Sequence, residues 1–283
     1  MKKYILQTWL KIAGISAVSG LGYEDNKLQL VADNTNVLYE YFIANDSLVS
    51  HSLDGNSIQT QPKETKYDFE ALTKWDNTWY AFSSGSNINR NTSFQFNKFS
   101  KYATPINLTD LYHEMKNFSG LDDVNFNVEA VSPYKEDWLF LNRGNGSKNA
   151  NYIFVVQGKN LTDDFNMYYF EFELPKIKNI PTGFSDAVVV NNTLFFIASA
   201  EASKNSTYLD GQIAGSIFGA IDLKKMDLLY TTQISDTDKF EGLTIINQSK
   251  KEITFALAAD NDEKNTTETT IHKLTIQLKQ KVK

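Results

Sequence analysis

A three-residue phrase recurs five times along this chain, and it constrains the fold more than any other feature. The copies are Ser19-Gly20-Leu21, Glu70-Ala71-Leu72, Glu129-Ala130-Val131, Ser185-Asp186-Ala187 and Glu241-Gly242-Leu243. Each begins with an oxygen-bearing residue and usually continues with a small and then an apolar one. Successive copies are 51, 59, 56 and 56 residues apart, and a period near 50 is the mark of a propeller or solenoid.

The same local pattern follows every copy. A polar pair comes a few residues later: Asp25-Asn26, Asp76-Asn77, Glu136-Asp137, Asn191-Asn192 and Gln248-Ser249. A β-branched or aromatic run comes next, at 27–31, 78–82, 138–141, 193–197 and 252–257. Strand, tight turn and strand is a hairpin. Further strands are expected at 37–43 and 47–53, at 94–99, at 152–156 and 168–174, at 216–222 and 228–233, and at 270–278. The last unit is one strand short, and residues 4–12 alternate like a spare strand. Joining the two closes a ring and removes the open sheet edge of a linear array. The sequence therefore predicts one all-β domain over 1–283, a five-bladed propeller of four-stranded blades beginning near 19, 70, 129, 185 and 241, with 4–12 completing the last. A sandwich pair and a six-bladed ring with a degenerate repeat are the alternatives. A short helix is expected from Thr109 to Met115, between the second and third blades.

Composition narrows the function. The net charge is −6, which disfavours nucleic-acid polymers and anionic membranes as partners. There is no cysteine, hence no disulfide framework, thiol nucleophile or zinc-thiolate site. Met1-Lys2-Lys3 followed by Tyr4-Ile5-Leu6 imitates a signal peptide, but Gln7 and Lys11 interrupt the apolar run and no clean cleavage site follows. A cytoplasmic location is expected, with a periplasmic one as the alternative.

In a propeller the first strand of each blade lines the central channel. Ser19, Glu70, Glu129, Ser185 and Glu241 would then share one space. Unit charges at ~4 Å repel by about 4 kcal/mol at an effective dielectric of 20, so three such carboxylates must be partly protonated or met by a cation. An all-oxygen ring favours a hard ion, Ca2+ before Mg2+. The bland alternative is a motif that packs strands, with its glutamates in a wet channel.

Residues just after each second strand should share that face: Asp33, Ser84, Arg143, Glu201 and Asp260, with Arg90 and Asp210 in the loops beyond. The chain has 26 lysines and two arginines, and both arginines fall in this class. Guanidinium grips phosphate or carboxylate with a planar fork that lysine lacks.

These stretches resemble the soluble calcium-activated nucleotidases, the apyrases, which are five-bladed propellers with a calcium ion in the central tunnel. The resemblance rests on Ser19-Gly20-Leu21 through Asp33, Phe69-Glu70-Ala71-Leu72, Glu129-Ala130 through Asn142-Arg143, Gly183-Phe184-Ser185 and Phe240-Glu241-Gly242. It implies that Ser19, Glu70, Glu129, Ser185 and Glu241 bind calcium, and it selects Ser185 over Asp186 as the fourth member. The chain departs from that family at Gly20, at Ala32-Asp33-Asn34 where an Asp-Asp-Arg run stands, and at Asn142-Arg143 where a double arginine stands. Ser84-Gly85-Ser86 with Arg90, Arg143-Gly144-Asn145, Ala200-Glu201 and Asp210-Gly211 are more similar to an uncharacterised bacterial phytase-like and nucleotidase-like propeller family.

The expected function is a calcium-dependent hydrolase of a phosphorylated small molecule. Arg90, Arg143, Ser84, Asp210 and Asp260 would contact the substrate, and Asp33 or Glu201 would be the general base. A non-enzymatic ligand- or protein-binding propeller with structural calcium is the first alternative. A lactonase-like or esterase-like hydrolase is the second.

Overall fold

The computed structural model describes residues 4–57, 60–144, 148–202, 212–260 and 267–278. Twenty strands form five separate four-stranded antiparallel sheets. Blade 1 is β2 (Val18–Glu24), β3 (Lys27–Ala32), β4 (Val37–Phe42) and β5 (Ser47–Ser52). Blade 2 is β6 (Phe69–Trp75), β7 (Thr78–Ser83), β8 (Thr92–Asn97) and β9 (Tyr102–Asn107). Blade 3 is β10 (Val128–Tyr134), β11 (Asp137–Asn142), β12 (Tyr152–Val156) and β13 (Met167–Glu171). Blade 4 is β14 (Thr182–Val190), β15 (Thr193–Ala202), β16 (Gln212–Asp222) and β17 (Asp227–Ser235). Blade 5 is β18 (Lys239–Gln248), β19 (Glu252–Asp260) and β20 (Glu268–Gln277), completed by β1 (Tyr4–Ala13) on the outside of β20. The ring is closed as the sequence predicts, by the first strand of the chain.

One strand escapes the sequence pattern. β9 reads Tyr-Ala-Thr-Pro-Ile-Asn and is largely exposed, so it lacks the apolar alternation of a half-buried strand. Pro105 is tolerated opposite Phe94 because β9 is an edge strand with an unpaired side. The expected helix is present and longer, α1 (Thr109–Ser119), burying Leu111, Tyr112 and Met115. It ends at Gly120, whose φ of 69° suits a left-handed C-terminal cap.

The first hairpin of the chain turns on Asp25 and Asn26, both left-handed with φ of 52° and 58°. That backbone matches the twist of the paired strands. The apolar residues collect into five clusters, one between each pair of neighbouring blades. The cluster between blades 2 and 3 is built on the fully buried Trp138, which meets Trp75, Tyr80 and Phe82 edge-on. Since no blade buries its faces alone, the fold is a cooperative ring.

The recurrent triplet now has a structural cause. Neighbouring first strands pack directly on one another around the axis. A Cβ on Gly20 would lie 2.7 Å from the backbone nitrogen of Leu72 in the next blade, and one on Gly242 would lie 2.8 Å from Leu21 Cβ. The second residue of the phrase is small because the adjacent blade occupies its space.

Candidate functional site at the propeller axis

Each first strand is interrupted at its ring residue. The pairing of β2 with β3 skips Ser19, and the equivalent pairings skip Glu70, Glu129, Ser185 and Glu241. A bulge frees one residue from the ladder and re-aims its side chain. Fivefold repetition of the bulge brings the five ring residues to the axis.

A second set stands at or just beyond the end of each second strand: Asp33, Ser84, Arg143, Glu201 and Asp260. For all but Glu201, the backbone holds the residue against the one two places before the ring position; in blade 4 that register belongs to Ser199, opposite Gly183, and Glu201 lies two residues further along β15. Asp33 donates its N–H to the Ala17 carbonyl (3.3 Å), Ser84 to Asp68 (3.0 Å) and Arg143 to Asn127 (2.8 Å), while Asp260 is registered with Lys239. Ion pairs link Glu129, Glu241, Arg143, Glu201 and Asp260 of the predicted residues, and Glu70 lies beside Asp33. Asp210 lies outside the described residues.

The ring residues differ in their partners. The Ser19 hydroxyl donates to the Phe69 carbonyl. The Ser185 hydroxyl donates to Ser199 Oγ at 3.1 Å. Glu129 and Glu241 each accept from Arg143 Nη1, at 3.1 and 3.3 Å, and Glu241 also meets Lys239 Nζ at 2.8 Å. Glu129 further accepts from Asn127 Nδ2 at 2.6 Å. The Glu70 carboxylate makes no hydrogen bond or ion pair among the described residues. Burial, then the charges of Asp68, Glu129, Asp33 and Glu241, push its carboxyl well above the ordinary range.

Glu70 is not isolated, however. One carboxylate oxygen from each of Asp33, Asp68 and Glu70 falls within 4.8 Å of the others. Lys66 Nζ bridges Asp33 and Asp68, the latter at 2.7 Å. Asp68 is held by Arg90 Nη1 at 2.7 Å and the Ser84 hydroxyl at 2.6 Å. Arg90 also reaches Ser86 Oγ at 2.9 Å and the Lys63 carbonyl at 3.2 Å. Burial raises the Asp33 carboxyl; Lys66 pulls it back and Asp68 and Glu241 push it up further.

On the far side of the axis, Arg143 Nη2 meets Glu201 at 3.0 Å, and Lys239 meets Asp260 at 3.3 Å. Both predicted arginines therefore reach the face, and both are engaged by carboxylates there. Asp186, set aside in favour of Ser185, takes two backbone donors: Ala187 at 2.7 Å and Leu243 of blade 5 at 2.5 Å. It ties two inner strands together, and burial raises its carboxyl well above the usual range.

Lys66, Asp68, Asn127 and Lys239 were not singled out by sequence reasoning. A signal for three of them was present: Asp68, Asn127 and Lys239 stand two residues before Glu70, Glu129 and Glu241. Among the described residues the linked network holds seven carboxylates, Asp33, Asp68, Glu70, Glu129, Glu201, Glu241 and Asp260, against four cations, Lys66, Arg90, Arg143 and Lys239. The negative excess can be relieved by protonation or by a bound cation, and the all-oxygen donor set around Glu70 fits a hard divalent ion.

Comparison with known proteins places these features in context. Residues 14–276 match the family model DUF6929, described as a family of unknown function. No curated protein matches the chain. Among solved structures it is similar to the major Malassezia sympodialis allergen Mala s 1, at 10% identity over 93% of this chain and 95% of that one, with a TM-score of 0.59. It is also similar to a glutaminyl cyclase from Myxococcus xanthus, at 7% identity over 98% of both chains, with a TM-score of 0.55. At such identities the likeness is one of fold. Among the described residues, no helix is long and apolar enough to cross a membrane.

Proposed function

We propose that this chain, which belongs to the DUF6929 family, is a metal-dependent hydrolase with a Ca2+ site at the axis of its propeller. The observation that carries the reading is Glu70, a half-buried ring carboxylate with no hydrogen bond or ion pair of its own among the described residues, grouped with Asp33 and Asp68. Of the five ring residues, Glu70 is the one disposed to hold the ion, with Asp33 and Asp68 beside it. Glu129 and Glu241 are already met by Arg143. Bound there, Ca2+ would supply a Lewis acid able to polarise a phosphoryl or carbonyl oxygen.

The substrate class that fits best is a phosphorylated small molecule, as the nucleotidase resemblance implies. Arg90 and Arg143 would act in it mainly by orienting Asp68 and Glu201, because their donors already serve those carboxylates. Asp33 is the candidate general base: its side chain is 29% exposed, and its raised carboxyl suits proton uptake.

Calorimetric titration with Ca2+ tests the site. One ion per chain is expected, lost in Glu70→Gln, and absence of binding to the wild type would sink the reading. Calcium-stimulated phosphate release from nucleoside diphosphates, sugar phosphates or phytate is then expected. The density of ion pairs around the axis favours a second reading, a ligand-binding propeller with structural calcium. Binding of Ca2+ with no turnover of phosphate esters, lactones or aryl esters would select it.

A further inference from the structure

We infer that Arg143 is the resident counter-ion of the axis, closing blades 3, 4 and 5 on one another without a metal. Its guanidinium reaches one carboxylate from each of those blades: Glu129 at 3.1 Å, Glu201 at 3.0 Å and Glu241 at 3.3 Å. None of these four side chains is more than 9% exposed, so solvent does little to screen them. The three acids lie 14, 58 and 98 residues from Arg143 in sequence. No local element could bring them together.

The geometry suits arginine specifically. Nη1 serves Glu129 and Glu241 while Nη2 serves Glu201, a division that needs a planar fork with separated donors. A lysine ammonium at the same place would be a single point charge. The chain does place such a lysine alongside: Lys239 covers the remaining side of Glu241 and reaches Asp260. Two of the three ring glutamates are thus paired with cations from within, and the wild-type ring is expected to stay closed in a chelator. The inference does not depend on a Ca2+ site at Glu70.

Thermal unfolding in excess EDTA tests it on four proteins: wild type, Arg143→Met, Arg143→Lys, and Arg143→Met combined with Glu129→Gln and Glu241→Gln. Removing one partner of a buried ionic cluster strands the others, whereas replacing a whole cluster by neutral groups is often tolerated. Arg143→Met should lower the melting midpoint by about 10 °C. Arg143→Lys should recover less than half of that loss. The combined variant should recover most of it, because the Glu129 and Glu241 charges are gone and Lys239 still lies 3.7 Å from Glu201, and this rescue separates a counter-ion from a packing residue. If Arg143→Met fails to fold, the combined variant should still fold and melt within about 5 °C of wild type. Arg143→Met melting with the wild type, or a combined variant no more stable than the single one, would overturn the inference. Ca2+ is absent throughout, so failure of the metal reading leaves the result unaffected.

Discussion

Glu40 and Glu129 are both buried, at 4% and 2% exposure, yet their carboxyls are displaced in opposite directions. Burial raises both. At Glu40 it is outweighed by hydrogen bonds from Lys101, His51, Gln29 and Lys27, at 2.6 to 3.2 Å, and the carboxyl falls to about 2. At Glu129, Arg143 pulls down but Glu241 pushes up, and the carboxyl rises to about 7. Glu40, tying blade 1 to Lys101 of blade 2, is one acid among several donors. Glu129 is one acid among many. At Glu40 the surrounding donors outweigh desolvation, whereas at the axis desolvation, helped by Glu241, outweighs Arg143 and Lys239 and sets the upward direction.

Breaking the axial cluster should have the largest effect. Lys239→Met takes one cation away from Glu241 and Asp260 and is expected to cost about 3 kcal/mol at pH 8, measured by chemical denaturation. Glu40→Gln is expected to cost about 1–2 kcal/mol, less because Lys27 and Lys101 are 25% and 39% exposed and return partly to water. Glu70→Gln should act in the opposite direction. Without metal it relieves like-charge repulsion and is expected to stabilise by about 1 kcal/mol, seen as a higher denaturation midpoint. The Lys159–Asp76 pair, 47% and 69% exposed, is the null: Asp76→Asn should leave the melting midpoint unchanged.

The same comparison fixes the pH dependence. The stability contributed by Glu40 is complete above its unfolded value near 4.5 and is lost as pH falls towards 2. For Glu129 and Glu70 the folded values are raised, so their contribution is present below 4.5 and is lost as pH rises, through about 7 for Glu129. In EDTA the stability maximum should therefore lie near pH 4.5, more acidic than is usual. A flat profile between pH 5 and 8 would contradict the axial assignment. Added Ca2+ should move the maximum upward by favouring ionised Glu70.

Much of the fold was legible because it is locally encoded. Each hairpin carries its own turn and its own alternation, and the fivefold repeat fixes their number. The fourth strand of blade 2 was not legible: exposed Tyr102 and Pro105 carry no alternation, and β9 exists because β8 offers it an edge. At the site, Asp33, Ser84, Arg143, Glu201 and Asp260 could be placed on one face from hairpin geometry alone. Their partners could not, because the distance across a closed ring is unrelated to separation along the chain.

The sequence by itself determined that five oxygen-bearing residues would stand at the same point of five equivalent hairpins, since the motif repeats in register; the bulge that frees each from its ladder is visible only in the structure. Tertiary structure alone decided which of them are already satisfied. Arg143 reaches over to Glu241, 98 residues away, and Lys66 settles between Asp33 and Asp68, leaving Glu70 without a cation in contact among the described residues. Those outcomes depend on ångström-scale approach between blades, where Coulomb energies vary steeply with distance and with the exclusion of water. A linear pattern of residue types carries no record of either.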